Sequence, residues 1–374
     1  MRLRGRYRDH VMSHHPEAPG PQQPGAAGPG TLSTAVPLSV VMPVRNEERH
    51  LAEAVSHVLR QDYPAEIELI IAVGPSRDRT AEIARSLADA DPRILIVPNP
   101  SGQIPSAINA AIKASRHPVV ARVDGHALIP PGYLRTAATT LAETGAVNVG
   151  GIMAAAGVTP FQQAVAWAMT SPAGVGSSRF HTGGSQGPAD TVYLGVYRRS
   201  ALEQVGGYDE TFLVAEDWEM NHRIRQAGGL VWFQPAMQVT YRPRASAAAL
   251  ATQYFRYGRW RRVVARQHPG TINLRYLAPP AAVAAMAAGT VAGIAGLAAA
   301  AGGVTGPWPK AATAGFAAPA LYGAGVLAVT AAASRQLRPA ALLRLPLALA
   351  TMHVSWGLGF LTSPRSLLPG NARR

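Results

Sequence analysis

Cysteine is absent from the 374 residues, so disulfide bonds and thiolate metal sites are excluded. Carboxylates are scarce, because 21 Asp and Glu stand against 35 Lys and Arg, and the formal net charge is +14. No acidic residue follows Glu219, although the chain continues to Arg374. A reaction that needs a carboxylate base must therefore find it at or before Glu219.

The excess of positive charge suits nucleic acid, an anionic membrane or a phosphate-bearing substrate. Carboxylates disappear in the same half of the chain in which hydrophobicity rises. This coincidence favours an enzyme at a membrane surface, and we expect no nucleic-acid partner.

At the N-terminus, residues 1–35 combine arginines with a stretch rich in Pro, Gly, Gln and His. They lack the apolar core of a secretory signal peptide. We expect a disordered basic tail in this segment.

Beyond residue 35, short apolar runs alternate with segments that have apolar residues at helical spacing. Strands are predicted over 37–43, 67–73, 94–97 and 119–123, and helices over 46–61, 78–88 and 105–115. This alternation predicts a parallel, Rossmann-like α/β sheet. Ligands of such sheets bind beyond the carboxyl ends of the strands, where the polar residues of this region fall.

The next part of the chain has a less regular pattern. Residues 174–187 are rich in Gly and Ser and are predicted to form a mobile loop. Further strands are predicted over 191–197, 230–233 and 239–241, with a helix over 220–227.

The C-terminal part begins with a basic and aromatic segment over 246–276, which is typical of a position beside a membrane. Apolar stretches follow over 277–304, 311–333 and 340–361. The first two are uncharged and each is long enough to cross a bilayer. The third contains Arg344 and His353, and it either spans the membrane or lies in its interface.

We therefore predict two to three transmembrane helices within 277–361, followed by a tail over 362–374. Arginines precede the first stretch, and Arg335 and Arg338 separate the second from the third. By the positive-inside rule, this distribution predicts a multi-pass protein of the inner membrane with its catalytic part in the cytoplasm.

Several short motifs precede the apolar stretches. They lie at 42–48, 73–80, 124–126, 206–217 and 253–257. In this order they resemble the inverting family-2 glycosyltransferases, in particular the membrane-bound exopolysaccharide branch of the succinoglycan-synthesis type. The resemblance covers about residues 37–279 and implies a GT-A fold, with a nucleotide-sugar-binding catalytic domain over 36–245.

The resemblance implies that the first two motifs bind the sugar donor. The residues concerned in the first motif are Pro43, Arg45, Asn46 and Glu47. A strand end followed by a helix N-terminus offers backbone N–H groups to a base or a phosphate. Asp78 of the second motif either contacts the donor or caps its helix. A UDP-sugar is the favoured donor, and a GDP-sugar stays open because Val73 replaces the Asp that reads uracil in the family.

Asp124 and His126 occupy the position of the family's Asp-x-Asp metal motif. Side chains at i and i+2 of a strand can converge on one cation, and both residue types are acceptable ligands of Mn²⁺. Asp also suits Mg²⁺. The resemblance implies a Mn²⁺ or Mg²⁺ site that bridges the donor's phosphates. The alternative is a turn Asp beside a surface His.

Glu216 and Asp217 match the catalytic Glu-Asp pair of the family. An inverting transfer needs one base that takes the proton of the acceptor hydroxyl. Repulsion between neighbouring carboxylates and partial burial raise the pKa of one of them, which suits a base. Asp217 is predicted to be the base and Glu216 to position it.

Gln253 and Arg256 resemble the Gln-x-x-Arg-Trp motif of processive relatives, with Tyr257 in the Trp position. Arg256 either clamps the donor's diphosphate or belongs to a basic belt on anionic lipid. Arg261 and Arg262 are assigned to the membrane surface.

Together, the motifs predict transfer of a hexose from a nucleotide sugar to a polyprenyl- or lipid-linked saccharide, in exopolysaccharide or cell-envelope glycan synthesis. The acceptor follows from the membrane anchor, because a soluble acceptor would not need one. Two alternatives stay open. A polyprenyl-phosphate sugar synthase has an acceptor that is already ionised and needs no base, and a basic membrane scaffold would bind no nucleotide.

Overall fold

The computed structural model describes residues 35–368. The predicted disordered tail, except for Ala35, lies outside the described residues. The same is true of the part of the predicted C-terminal tail that follows Leu368.

An eight-stranded sheet lies at the centre of the part that precedes the apolar helices, within residues 35–368. Its strands are β1 (Leu38–Val44), β2 (Ile67–Val73), β3 (Ile94–Pro98), β4 (Val119–Arg122), β5 (Asn148–Ala155), β6 (Gly187–Pro188), β7 (Tyr193–Arg198) and β8 (Val231–Tyr241). They are ordered β3-β2-β1-β4-β7-β5-β8-β6. The first four strands pair in parallel, as the sequence predicted, and β7 pairs antiparallel with β4 and β5.

Helices cover both faces of this sheet. They are α1 (Leu51–Leu59), α2 (Thr80–Ala90), α3 (Ile104–Ala114), α4 (Tyr133–Thr144), α5 (Pro160–Met169), α6 (Pro172–Val175), α7 (Arg179–Thr182), α8 (Arg199–Gln204) and α9 (Glu216–Gln226). Alternate residues of a strand point to opposite faces, so Val40 and Met42 join one hydrophobic core and Val41 joins the other. Burial on both sides explains why the strands are continuous apolar runs.

Three local details differ from the expectation. The first helix begins at Leu51 rather than at Asn46, because Asn46 has a left-handed φ of 57° and belongs to the preceding loop. The Gly/Ser-rich segment over 174–187 contains α7 and the end of α6. The two short strands predicted after α9 form one strand, β8, whose pairing with β5 shifts register near Gly150.

The C-terminal part is helical. Its helices are α10 (Ala247–Gln267), α11 (Leu274–Ala301), α12 (Pro307–Thr313), α13 (Ala317–Ala332), α14 (Pro339–Leu342) and α15 (Leu345–Leu361). Three helical stretches within the described residues are long and apolar enough to cross a membrane: Leu274–Ala301, Pro307–Arg335 and Pro339–Leu361. The third stretch therefore meets the same length and composition criteria as the first two.

α10 and α15 cross at very close range. A Cβ on Gly258 of α10 would lie 2.0 Å from the carbonyl oxygen of Trp356, and a Cβ on Gly359 of α15 would lie 2.1 Å from that of Phe255. Glycine at both positions lets the two backbones touch. Beside this crossing, a further core joins α5, α10 and α15; its members include Val165, Met169, Leu250, Tyr254, Leu349 and Met352.

Arg261 does not lie at a membrane surface, contrary to the expectation. Its side chain is buried between the rings of Trp218, at 4.2 Å, and Tyr276, at 3.7 Å. Arg262 lies over the ring of Phe360 at 4.9 Å. Both arginines thus contribute to packing within the protein, because aromatic faces attract the guanidinium charge.

Candidate active site

A buried arginine, Arg122, joins three carboxylates at the end of β4. Its Nε donates to Oδ1 of Asp124 at 3.0 Å, and Nη1 and Nη2 each lie 3.3 Å from Oε1 of Glu216. Nη1 also donates to Oδ1 of Asp217. Asp124 and the predicted catalytic pair therefore form one cluster, which we call the Arg122 cluster.

Glu216 and Asp217 of this cluster are difficult to ionise, because they are removed from water and lie close to other carboxylates. Burial raises the pKa of Glu216 to about 7, and it also raises the pKa of Asp217. The charge of Arg122 acts in the opposite direction and lowers the pKa of both groups. The pair is thus tuned towards neutral pH, where a general base is most effective.

The start of α9 brings the two acidic residues to the end of β4. Ala215, which precedes the helix, has a left-handed φ of 66°, a strained conformation for a residue with a Cβ. The chain turns there directly into the helix. The positive end of the helix dipole then favours the ionised forms of Glu216 and Asp217.

A pair of buried tyrosines holds Asp217 from a second side. The hydroxyl of Tyr208 donates to Oδ1 of Asp217 at 3.1 Å, and it lies 3.0 Å from the hydroxyl of Tyr197 in β7. Asp217 is therefore oriented by both a cation and a hydroxyl. Both contacts use the same carboxylate oxygen.

The loops after β1 and β2, which carry predicted donor-binding residues, are joined by hydrogen bonds. The N–H of Asn46 donates to Oγ of Ser76 at 3.1 Å, and its Oδ1 accepts from the N–H of Arg77 at 2.9 Å. The N–H of Glu47 donates to Oγ1 of Thr80 at 2.7 Å. Asn46 and Glu47 thus lie in a loop that is held by hydrogen bonds to the segment after β2.

Asp78 belongs to the same pair of loops. Its carboxylate accepts from the hydroxyl and the N–H of Thr80 at 2.6 and 3.1 Å, and from the N–H of Glu48 at 3.2 Å. The bond from the Thr80 hydroxyl is the main cause that lowers the pKa of Asp78. These bonds fix the turn before α2, but the N-cap residue of this helix is Arg79 and has no side-chain cap bond, so Asp78 does not cap it. A donor contact of Asp78 stays a prediction.

Three other predicted donor-binding residues form no hydrogen bond or ion pair with the Arg122 cluster within the described residues. Pro43 lies in β1 opposite Ala72 of β2. Arg45 is exposed and donates from Nη1 to the carbonyl oxygen of Gly102 at 3.2 Å. Arg256 is exposed on α10.

Gln253 joins α10 to β8. Its Nε2 donates to the hydroxyls of Tyr241, at 2.9 Å, and Tyr257, at 2.8 Å. Tyr241 is the last residue of β8, and Tyr257 lies one turn further along α10. A contact of Gln253 with the donor stays a prediction.

His126 lies at the same strand end as Asp124, but the two side chains have different partners. Nδ1 of His126 is 2.8 Å from Oε1 of Glu47, and this bond raises the pKa of His126. Between them, Gly125 packs so tightly that a Cβ would lie 2.8 Å from Cγ1 of Val44. Within residues 35–368, no group of three or more His, Asp or Glu side chains could hold a metal ion by itself.

The donor atoms at this strand end nevertheless fit a divalent cation that also binds substrate oxygens. Arg122 uses Oδ1 of Asp124, which leaves Oδ2 for a cation. The side chain of His126 is 48% exposed, and the carboxylate of Glu47 is beside it. Carboxylate and imidazole groups are accepted ligands of Mn²⁺, and carboxylates also of Mg²⁺.

Comparison with known proteins identifies the family. Residues 39–206 match the family described as glycosyl transferase family 2. The succinoglycan biosynthesis protein ExoA of Rhizobium meliloti (strain 1021) is 32% identical over 323 residues, which cover 86% of this chain and 93% of that protein. The chain belongs to glycosyl transferase family 2. This confirms the resemblance to the exopolysaccharide branch, and the chain is a glycosyltransferase.

One more distant relative and one solved structure are also similar to this chain. A dolichyl N-acetyl-α-D-glucosaminyl phosphate 3-β-D-2,3-diacetamido-2,3-dideoxy-β-D-glucuronosyltransferase of Methanococcus voltae is 24% identical over 252 residues, 65% of this chain and 77% of the relative. The solved structure of the mannosyltransferase PcManGT from Pyrobaculum calidifontis shares the fold, with a TM-score of 0.52 and 20% identity over 87% of both chains.

The sequence interpretation gave no role to Arg122, Tyr197 and Tyr208 of this candidate site. Arg122 carried a usable signal, because it is a charged residue in an otherwise apolar strand and precedes Asp124 by two positions. Residues at i and i+2 of a strand share a face. Tyr208 lies within the motif at 206–217. Tyr197 carried no such signal, since it contacts Tyr208 only after distant parts of the chain have packed together.

Proposed function

We propose that the glycosyltransferase moves a hexose, with inversion, from a nucleotide sugar to a lipid-linked saccharide at the membrane. The observation that carries this proposal is the Arg122 cluster, in which Glu216 and Asp217 are held beside Asp124. It supplies a base with a raised pKa at the strand end where a donor binds in such sheets.

In the proposed reaction, Asp217 takes the proton of the acceptor hydroxyl as its oxygen attacks the anomeric carbon. The leaving nucleotide diphosphate departs from the opposite face, which gives inversion. Arg122 and Tyr208 hold Oδ1 of Asp217, and the other carboxylate oxygen takes the proton. Arg122 also keeps Asp217 ionised before the transfer, because its charge lowers the pKa of that carboxyl.

Asp124 and His126, with Glu47 beside them, would hold Mn²⁺ or Mg²⁺. When bound, such an ion neutralises the charge that develops on the leaving diphosphate. The loop containing Asn46 and Glu47 would bind the nucleotide. The PcManGT structure is a complex with GDP-Man and Mn²⁺, which supports a nucleotide-sugar donor here. A UDP-sugar remains the favoured donor and a GDP-sugar the second candidate.

The acceptor and the location follow from the C-terminal helices. Three stretches are long and apolar enough to span the membrane, and arginines flank them on the side assigned to the cytoplasm. The Methanococcus voltae relative is named for a dolichyl phosphate-linked acceptor, which supports a lipid-linked acceptor. The proposed location is the inner membrane, with the catalytic part in the cytoplasm.

Calorimetric titration of the detergent-purified protein with UDP, GDP and TDP, each with and without Mn²⁺, tests the donor site. We expect Mn²⁺-dependent binding of one nucleotide, lost in Asp124→Ala and kept in the surface control Asp89→Asn. Absence of binding for every nucleotide in both conditions would contradict the transferase proposal and favour the membrane scaffold.

The transfer step is tested with Asp217→Asn and a lipid-linked saccharide as acceptor. We expect kcat to fall about a hundredfold or more, because general-base catalysis is lost. Nucleotide affinity should stay unchanged. Full activity of Asp217→Asn would instead point to a lipid phosphate acceptor that needs no base.

A further inference from the structure

A cavity of about 350 Å³ lies away from the Arg122 cluster, between α7, β6, the end of α9 and the start of α11. Three arginines line it: Arg179 on α7, Arg225 on α9 and Arg275 on α11. The serines at 177 and 178 and Thr191 add hydroxyl groups to its wall. We call it the arginine cavity.

The positive charge of this cavity is poorly compensated. Asp190 is the acidic residue in the lining, and its carboxylate is 3.7 Å from Nη1 of Arg225 and 67% exposed. Such an exposed, long ion pair contributes little. Within residues 35–368, neither Arg179 nor Arg275 forms a salt bridge. Since no carboxylate follows Glu219, the C-terminal half cannot provide one.

Two guanidinium groups of the cavity also have unused hydrogen-bonding capacity. Nε of Arg225 and Nε of Arg275 are buried and have no hydrogen-bond partner within the described residues. Buried donors are normally paired, so the protein itself does not satisfy these two side chains fully. Oxygen atoms of a phosphate or diphosphate match arginine geometry well.

The place of Arg275 indicates where such a phosphate comes from. Arg275 is the second residue of α11, the first stretch that is long and apolar enough to cross the membrane. Gly176, with φ of 68°, packs against it, and a Cβ there would lie 3.3 Å from Cβ of Arg275. The cavity is therefore at the level where a spanning helix begins, which is also the level of lipid head groups.

The distance from the catalytic pair favours one kind of lipid. Asp217 and Arg225 lie on the same helix, and a rise of about 1.5 Å per residue separates them by about 12 Å along α9. A phosphate in the cavity cannot itself be the attacking group at Asp217. A saccharide attached to that phosphate can extend towards the base.

We propose that the arginine cavity binds the diphosphate of a polyprenyl-diphosphate-linked saccharide acceptor, an inference that rests on the proposed transferase function. Arg225 and Arg275 hold the diphosphate at the membrane surface. The saccharide then extends along α9 and presents its hydroxyl to Asp217. The cavity contributes to acceptor affinity and takes no part in the chemical step.

Binding is tested on the full chain in detergent, with the donor site saturated by UDP and Mn²⁺. The probes are a polyprenyl diphosphate, inorganic diphosphate and vesicles of phosphatidylglycerol. We expect the affinity of the double variant Arg225→Gln/Arg275→Gln for polyprenyl diphosphate to fall by a factor of about ten or more. The surface control Arg85→Gln should bind as tightly as the wild type. The double variant Arg225→Lys/Arg275→Lys, which keeps the charge, should bind more tightly than the double glutamine variant.

The probes separate the possible sources of the phosphate. Weaker binding of polyprenyl diphosphate, with little effect on the vesicles, supports the proposal. An equal loss of vesicle binding would overturn it in favour of a general contact with anionic lipid. A site that binds inorganic diphosphate as tightly as the lipid would also overturn it, because the lipid origin would then be unnecessary.

A kinetic comparison distinguishes this inference from the proposed function. The lipid-linked saccharide is compared with the same saccharide as a short alkyl glycoside without diphosphate. In the double glutamine variant, KM should rise about tenfold for the first acceptor only, with kcat unchanged. If the wild type transfers the sugar and the double variant has the same KM, the proposed role of the arginine cavity is refuted. If the wild type binds the polyprenyl diphosphate but transfers no sugar, the proposed function is refuted, while binding of diphosphate by the arginine cavity is not.

Discussion

Arg122 places one positive charge among Asp124, Glu216 and Asp217. Removing one partner of a buried ion pair is strongly destabilising, because the remaining charge is left without compensation. Here, removal would leave three neighbouring carboxylates. Glu216 and Asp217 would then bind protons more readily, because this relieves the repulsion between the carboxylates. A protonated carboxyl cannot act as a base.

We therefore predict that Arg122→Gln shifts the acidic limb of the kcat/KM profile to higher pH by about one unit or more. The sign follows from the charge of Arg122, which lowers the pKa of Glu216 and of Asp217. Without that charge, each carboxylate ionises only at higher pH. The pH–rate profile of the purified variant measures the shift.

Arg122→Lys is the matched control, because it keeps the charge and loses the three-way hydrogen bonding. Its acidic limb should stay near that of the wild type, while kcat falls because Asp217 is less well oriented. An unchanged limb in Arg122→Gln would show that this arginine does not control ionisation of the pair.

Tyr208→Phe tests the second support of Asp217. The bond from the Tyr208 hydroxyl lowers the pKa of Asp217, so its loss should also move the acidic limb upward, although less than the loss of Arg122. Stability should fall by about 1 kcal/mol, because Tyr197 loses its hydroxyl partner.

Tyr63→Phe is the control for this variant. Tyr63 donates to the carbonyl oxygen of Val36, away from the cluster. The control should lose a similar amount of stability in thermal unfolding and keep the wild-type pH profile. An equal shift of the profile in both variants would contradict the role given to Tyr208.

The crossing of α10 and α15 joins the helix that follows the sheet to the apolar helices. Gly258 and Gly359 permit it, since a Cβ at either position would enter the backbone of the other helix. α10 also carries Gln253, which donates to the hydroxyl of Tyr241 at the end of β8. The crossing is therefore linked to the sheet through α10.

Gly258→Ala and Gly359→Ala should each destabilise the protein by about 1–3 kcal/mol, because the helices must separate to admit a methyl group. Thermal unfolding in detergent, followed by circular dichroism, measures the loss. Gly323→Ala on α13 is the control, as a Cβ there has no heavy atom within 4 Å. If Gly258→Ala leaves the stability unchanged, the two helices do not pack this closely in solution.

The strands and helices that the sequence predicted well are those whose own residues determine them. Continuous apolar runs gave β1, β2, β3 and β4, and apolar residues at helical spacing gave α1. The order β4-β7-β5-β8 had no local signal, because pairing between distant strands depends on the whole fold.

Some residues of the candidate active site could likewise be predicted from the sequence, and others could not. Asp124, Glu216 and Asp217 were found because a motif order marks them, and the structure brings them together. Arg122 was passed over as a strand residue. Arg261 was assigned to lipid because an arginine next to aromatics is typical of an interface, and only the packing of Trp218 and Tyr276 shows that it is internal.

The apolar helices and the catalytic part share a hydrophobic core. Side chains of α5 and α10 pack against α15, and Trp167 of α5 donates Nε1 to Oε1 of Gln336 at 2.6 Å. His353 of α15 is 2.8 Å from the carbonyl oxygen of Ala173 through Nε2. The C-terminal helices are thus a structural part of the enzyme as well as its proposed membrane anchor.

A variant truncated after Asn273 should therefore aggregate rather than behave as a soluble catalytic domain. Truncation exposes the faces of α5 and α10 that α15 covers, and large exposed apolar patches promote association. Size-exclusion chromatography measures the result. A monodisperse truncated variant with wild-type nucleotide affinity would contradict the shared core.

Two arginines of α10 are held by ring faces and carbonyl oxygens: Arg261 lies between two rings, and Arg266 donates to the carbonyl oxygens of Ser363 and Pro364. Ion pairs on a surface weaken as ionic strength rises, whereas buried contacts are screened much less. A concentrated salt wash that strips peripheral proteins from a membrane should leave these attachments intact. Proteins that adhere to the enzyme by charge alone can then be removed at high salt, while the contacts of Arg261 and Arg266 are kept.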